Sequence, residues 1–225
     1  MKFNLKEQSV RELNQALHNL PESSTETVLV EGISGDHNLC VGLNAPVNIE
    51  MQGHAGYYCA GMNKHATVTI NGNVGQGVAE NMMSGKVHVK GNASQSAAAT
   101  AHGGLLVVDG DAAARCGISM KGVNIVVKGS VGHMSAFMGQ SGCMVVCGDA
   151  GEALGDSLYE AHLYVKGKVA SLGADCIEKE MRPEHIEELQ ALLNEAGSDE
   201  KPEDFTRYGS ARQLYTFKVD NASAY

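Results

Sequence analysis

The chain has 225 residues, of which 43% are apolar and only 5% aromatic, and it contains 27 glycines and no tryptophan. A chain of this length can bury a substantial core, and here that core must be built mainly from Ala, Val, Ile and Met. The net charge of −9 argues against nucleic-acid binding, which needs a basic face. No run approaches the roughly 18 apolar residues of a membrane helix. The first residues also lack the apolar stretch of a signal peptide, so we expect a cytoplasmic protein.

The first 46 residues predict a cap that leads into a repeat. Ser9 and Glu12 have the spacing of a helical capping box. Four apolar residues follow on one helical face: Leu13, Ala16, Leu17 and Leu20. Residues 27–30 then predict a strand. We therefore assign residues 1–46 to an N-terminal strand and helix cap.

Residues 47–175 contain a repeat with a period of 19 residues. The pattern apolar-x-apolar-x-Gly ends at seven glycines: Gly53, Gly72, Gly91, Gly110, Gly129, Gly148 and Gly167. The positions two and four before each glycine hold only Val, Ile, Leu or Met, and the position seven after it holds only Ala or Gly. Alternation with period two is typical of a strand, so we expect the positions at −4 and −2 to face a core and those at −3 and −1 to face outward.

The length of the repeat predicts the fold. Nineteen residues cannot hold a strand, a crossover helix and a return strand, so each strand must stack on the equivalent strand one coil earlier. This is an all-β fold, a right-handed parallel β-helix of about seven coils, with short capping helices at both ends. Leucine-rich repeats would need a Leu framework, and a left-handed hexapeptide helix would need a period divisible by six. The small residues at +7 mark coil walls that lie close together or corners with positive φ.

The remaining segment, residues 176–225, predicts a helix and an arm. Pro183 begins the helix and Gly197 ends it. Its apolar stripe consists of Ile186, Leu189, Leu193 and Ala196. An aromatic and Arg-containing segment follows a polar linker, and we interpret it as an arm that docks a partner. Its candidate contact residues are Phe205, Arg207, Tyr208, Arg212, Tyr215 and Phe217. The alternative is that this segment folds against its own rod.

No catalytic, cofactor-binding or metal-ligating residue is predicted in the chain. The six cysteines form no CxxC motif, and reduced thiols are the favoured interpretation. The histidines lie at different positions of the coil, without HxH or HExxH spacing. Cys59 and Cys116 stand three coils apart, about 14 Å at the spacing of paired strands, and no GxSxG motif is present.

Residues 124–142, read alone, are similar to a nucleotide-binding loop, because a strand is followed by Gly129, Gly132 and Gly139. A dinucleotide motif, however, occurs once in a domain, at a turn from a strand into a helix. Here the pattern recurs in seven coils and leads each time to another strand. We interpret the glycines as structural, with a phosphate contact at one of them as the alternative.

The repeated Gly-x-x-Gly with further glycines on strands resembles the GXGXG domain at the C-terminus of the glutamate synthase large subunit. It is also similar to the C subunit of formylmethanofuran dehydrogenase. The cleanest matches are residues 72–75, residues 129–132 with Gly139, and residues 148–151 with Gly155. Other coils depart from the motif, with Ser94, Ala113 and Ala170 in place of its second glycine. The resemblance covers residues 28–175.

Because the flanks are short, the chain looks most like the stand-alone GXGXG subunits of N-methylglutamate synthase and of enzymes of the Glx-operon type. The resemblance implies two partners, a glutamine-amidotransferase-like subunit and a synthase-like subunit that holds FMN and an iron–sulfur cluster. It implies a noncatalytic brace between them, without a cofactor of its own, in a complex that converts methylamine and glutamate to N-methylglutamate and ammonia. The alternatives are a scaffold of formylmethanofuran dehydrogenase and a stand-alone solenoid acyltransferase.

Overall fold

A computed structural model describes residues 1–214 of the chain. Within them, eleven strands form one sheet: β1 (Lys2–Asn4), β2 (Thr27–Ser34), β3 (Asn48–His54), β4 (Thr67–Asn71), β5 (Lys86–Val89), β6 (Leu105–Val108), β7 (Lys121–Val127), β8 (Ser141–Val146), β9 (His162–Val165), β10 (Cys176–Lys179) and β11 (Thr206–Ser210). There are two α-helices, α1 (Val10–His18) and α2 (Pro183–Glu195), and a 3₁₀ turn at Pro202–Asp204. The strand order is β1 to β9 in sequence, then β11 and β10.

Strands β1 to β9 are parallel, and each pairs with the next one along the chain. Between β3 and β9 the paired residues are 19 apart, as in Ile49 with Val68 and Met144 with Leu163, except at a register shift where Lys121 pairs with Ser141. The side chains two and four before each repeat glycine are no more than 1% exposed. The predicted parallel β-solenoid of about seven 19-residue coils is therefore confirmed, as is the inward face of its strands. Its right-handed sense stays a prediction.

The corner of each coil is built from backbone with positive φ. In one coil Gly77, Ala79 and Asn81 have φ of 74°, 56° and 55°. Six of the seven predicted small residues at +7 adopt this conformation: Ala60, Ala79, Ala98, Gly117, Ala136 and Gly155. A short side chain lowers the steric conflict of the left-handed region and leaves room for the stacked coils. The small column therefore marks the corners.

The N-terminal cap closes one end of the stack. The capping box of Ser9 and Glu12 is present, and Leu13 and Leu17 of α1 are buried as predicted. The side chain of Asn14 on α1 accepts a hydrogen bond from the backbone of Cys40 at 2.9 Å. Strand β1, which the sequence did not indicate, pairs with β2. The helix thus covers the apolar interior at this end of the stack, and the short strand β1 forms the edge of the sheet.

The C-terminal helix α2 covers part of the outer face of the sheet. It begins at Pro183, as predicted, and Gly197 follows its C-cap with φ of 64°. Its buried residues pack on the outward column at −3, forming a second core that includes Val107, Val126, Val145, Tyr164, Leu189, Leu192, Leu193 and Ala196. This column points out of the rod as expected, and the helix shields it from water. Burying each such aliphatic side chain contributes about 1.5–3 kcal/mol.

The segment interpreted as a docking arm is, in its described part, a strand of the sheet. Strand β11 runs antiparallel between β9 and β10. Phe205 is 7% exposed and belongs to the second core, and Tyr208 packs against the first. The alternative left open by the sequence, a segment folded against its own rod, thus describes these residues. Tyr215 and Phe217 lie outside the described residues.

None of the helices within residues 1–214 has the length and apolar character needed to cross a membrane.

Candidate functional site

The repeat glycines face a ladder of polar side chains that runs along the rod. The residue after each of the first six repeat glycines accepts a hydrogen bond, through its side chain, from the backbone N–H of the equivalent residue one coil later. Six such bonds of 2.7–3.0 Å are donated by Asn73, Asn92, Asp111, Ser130, Asp149 and Lys168. The acceptor side chains belong to His54, Asn73, Asn92, Asp111, Ser130 and Asp149. The ladder ties consecutive coils together outside the backbone pairing of the strands.

This ladder explains the glycine column. A Cβ atom built at Gly110 would collide with Oδ1 of Asn92 and lie 2.9 Å from the carbonyl oxygen of Gly91. At Gly129 it would collide with Oδ1 of Asp111. A side chain at these positions would displace the acceptor that crosses the glycine. In residues 124–142, the nucleotide-loop-like stretch, Gly129 therefore makes room for the neighbouring coil.

A second group of polar residues lies where α2 meets the sheet. Cys143 and His162 are register partners on β8 and β9, 19 residues apart, and Glu188 projects from α2. His162 Nδ1 and Glu188 Oε2 are 2.9 Å apart, and the Tyr164 hydroxyl donates to the same carboxylate oxygen. We call Cys143, His162, Tyr164 and Glu188 the helix-contact cluster. The sequence did not predict this cluster, because each histidine was considered alone. The 19-residue spacing of Cys143 and His162, which places them side by side on neighbouring strands, was the available signal.

The electrostatics of the helix-contact cluster follow from the single carboxylate at its centre. Hydrogen bonds from His162 above all, and also from Tyr164 and Cys143, lower the pKa of Glu188 to about 2 although burial opposes the shift. Burial first, and then the carboxylate of Glu188, raises the pKa of the Cys143 thiol and of the Tyr164 hydroxyl. Glu188 is therefore ionised, while the thiol and the phenol stay protonated and donate to it.

Among the described residues, Cys143, His162 and Glu188 form the one group of three side chains able to hold a metal ion. Their ligand atoms lie within 4.8 Å of one another. Cysteine, histidine and carboxylate are all zinc ligands. The same atoms, however, are already joined by hydrogen bonds, and the thiol would have to lose a proton of raised pKa before binding. The arrangement thus fits a polar contact that fixes α2 to the sheet better than a metal centre.

The other cysteines and histidines considered from the sequence have local structural roles. All six cysteines are free; five are buried, and Cys147 is half-buried. Burial raises the pKa of Cys59 and Cys116 to about 12, so neither thiol is a nucleophile at neutral pH. His54 accepts a hydrogen bond in the ladder and His88 lies 2.9 Å from Asp109. These histidines have local hydrogen-bonding roles.

The parallel stack, the glycine column and the side-chain ladder define a β-solenoid protein with a glycine at the same position of every coil. The chain belongs to the GXGXG motif family, whose family model matches residues 1–197. It is also similar to Protein GlxC of Rhizobium meliloti (strain 1021), with 66% identity over 56 residues. That match spans 24% of this chain and 25% of the length of GlxC. The resemblance to the GXGXG family found in the sequence is thus confirmed.

Proposed function

We propose that this chain is a noncatalytic structural subunit of a cytoplasmic, glutamate-synthase-like multi-subunit enzyme. The observation that carries the proposal is the family match over residues 1–197, together with the similarity of one segment to Protein GlxC. The polar side chains and glycines that recur in every coil are used to hold the coils to one another. A rod built in this way offers a rigid surface on which other subunits can be arranged.

In the proposed complex the rod bridges a glutamine-amidotransferase-like subunit and a subunit that binds FMN and an iron–sulfur cluster. The reaction we propose for the complex converts methylamine and glutamate to N-methylglutamate and ammonia. The cofactors and the chemistry belong to the partners. Six free cysteines fit a reducing compartment, where such a complex would be assembled.

Exposed apolar side chains at and beside the coil corners support a role in subunit contact. Tyr57, Met62 and Met83 are about half exposed, at 51%, 52% and 49%. Aromatic residues and methionine are enriched in protein–protein interfaces. We propose that this corner of the rod contacts a partner subunit.

Purification of the tagged chain from its native host tests the proposal. We expect two larger polypeptides to co-purify, identified by mass spectrometry, together with the absorption spectrum of a flavin. Recovery of a lone, colourless chain with its own turnover would contradict the proposal. Molybdenum or tungsten in the complex would favour instead a scaffold of the formylmethanofuran dehydrogenase kind.

The variant Met62→Asn tests the corner surface without disturbing the fold. Met62 has φ of 54°, and asparagine tolerates this conformation well. The equivalent residue of the next coil is already an asparagine, Asn81, with φ of 55°. We expect the variant to unfold at the same temperature as the unmodified chain but to recover less of at least one partner. Undiminished recovery of both partners would remove this surface from the interface.

A further inference from the structure

A cavity of about 310 Å³ lies beside the start of α2, next to β10, β11 and the loop before β9. Four cationic side chains line it, Lys179, Arg182, Arg207 and Arg212, against one carboxylate, that of Glu160. The protein as a whole carries a net charge of −9. The lining of this cavity, which we call the basic cavity, therefore has more cationic than anionic side chains in a protein of net negative charge.

The sheet places two of these cations directly opposite each other. Lys179 on β10 and Arg207 on β11 are register partners in an antiparallel pair, and both line the basic cavity. Like charges at directly opposite positions destabilise a sheet. A bound anion would convert this unfavourable pair into a favourable one.

Arg207 also has a donor that the described residues leave unused. Its Nη1 donates to the carbonyl oxygen of Glu180 at 3.3 Å, while its Nε is buried without a hydrogen-bond partner in residues 1–214. A buried charged donor without an acceptor is costly. Arg207 lines the basic cavity, so its guanidinium has hydrogen-bonding capacity left for the oxygen of a carboxylate or phosphate, with the charge-assisted strength of a guanidinium pair.

The remaining groups around the basic cavity are a neutral histidine and carboxylates that pair with two of its arginines. Burial, and then the positive charge of Arg207, lowers the pKa of His185, so this ring is neutral near pH 7. His185 Nδ1 accepts a hydrogen bond from the backbone of Arg182. Arg182 lies 3.3 Å from Glu180 and 3.9 Å from Glu184, and Arg212 lies 2.7 Å from Glu160. These surface pairs are weak and exchange readily for a better placed anion.

We propose that the basic cavity binds the carboxylate or phosphate group of a small metabolite, with Arg207 donating to it and Lys179 and Arg182 supplying further charge. A volume of about 310 Å³ lies at the lower end of the range for small-molecule pockets, which is about 300–1,000 Å³. The ligand class is therefore a small oxyanion rather than an extended polymer. The proposal is independent of the proposed function, since it concerns a site within this chain alone.

Isothermal titration calorimetry and thermal unfolding of the purified full chain test the site, with inorganic phosphate and L-glutamate as probes at constant ionic strength. The key variant is Lys179→Gln. Arg182→Gln, whose side chain is 60% exposed, serves if the first variant does not fold. The matched control is Lys201→Gln, an exposed lysine outside the cavity lining.

We expect at least one probe to bind and to raise the unfolding temperature, and Lys179→Gln to weaken binding about tenfold, as loss of one charge-assisted contact would. Lys201→Gln should bind normally. Binding of phosphate alone assigns the site to phosphorylated ligands, and binding of glutamate alone assigns it to carboxylates. Absence of binding by both probes, or equal losses in Lys179→Gln and Lys201→Gln, would overturn the proposal.

Discussion

The substitution Gly110→Ala tests whether the glycine column exists to make room for the side-chain ladder. Gly110 has no unusual φ, so alanine is conformationally acceptable there. The added methyl group would meet Oδ1 of Asn92, which accepts a hydrogen bond of 2.8 Å from the backbone of Asp111. It would also press on the carbonyl oxygen of Gly91, which belongs to the neighbouring coil and cannot move alone.

Two effects of the substitution lower the free energy of unfolding. Displacing Asn92 removes one hydrogen bond, worth about 0.5–1.5 kcal/mol. Overpacking against backbone costs about 1–3 kcal/mol. We therefore expect Gly110→Ala to lower the free energy of unfolding by about 1.5–4.5 kcal/mol. In the absence of a clash, the same change stabilises a protein by about 0.4–1 kcal/mol.

Urea denaturation of four variants provides the assay. The matched control is Gly209→Ala on β11, where the nearest atom to the new Cβ is a side-chain carbon at 3.4 Å, so we expect little loss. Asn92→Ala and the double variant complete a cycle, in which removing the Asn92 side chain should relieve part of the clash. We expect the double variant to be more stable than the sum of the single losses by about 1 kcal/mol. The reasoning is refuted if Gly110→Ala costs no more than Gly209→Ala, or if the losses simply add.

Three further outcomes follow from the outer face and the thiols. Leu189→Ala opens a hole in the fully buried contact of α2 with the sheet and should cost about 2–5 kcal/mol in urea denaturation; a loss below 1 kcal/mol would mean that α2 is not held by this packing. The pKa of Glu188 is lowered from 4.5 to about 2, so the stability it provides is complete above about pH 4.5 and disappears as the pH falls towards 2. The Glu188→Gln variant should show a flatter loss of stability over that pH range, and parallel curves for the two proteins would contradict the assignment. In thiol titration of the folded chain we expect Cys147 to react first, and Cys40, Cys59 and Cys116, all 0% exposed, to react only on unfolding; rapid reaction of all six would contradict the burial.

The sequence predicted those features that repeat with the coil. Three features recur every 19 residues: a strand with two inward apolar residues, a glycine, and a small corner residue. Each coil therefore adopts the same local geometry. The ladder recurs as well, but its residues are His, Asn, Asp and Ser. Each of these side chains carries a hydrogen-bond acceptor, but they are different residue types, so a comparison of residue types alone did not reveal the ladder. Their position after each glycine was the available signal.

Features that depend on distant parts of the chain could not be predicted in the same way. Val107, Val126 and Val145 were expected to point outward, and they do, but nothing near them in sequence indicates that α2 covers them. The insertion of β11 between β9 and β10 likewise depends on the chain returning after α2. The helix-contact cluster and the basic cavity both arise from these long-range contacts, which is why neither was visible as a local motif.

Reconstitution of the proposed complex tests the central claim, that this chain supports catalysis without performing it. The measurement is formation of N-methylglutamate from methylamine and glutamate by the chain alone, by its co-purified partners alone and by the reassembled complex. Turnover should require the flavin-containing partner, should increase when the chain is added, and should survive the Cys143→Ser substitution in the helix-contact cluster. Turnover by the chain alone, or its loss in an intact complex that carries Cys143→Ser, would contradict a structural role.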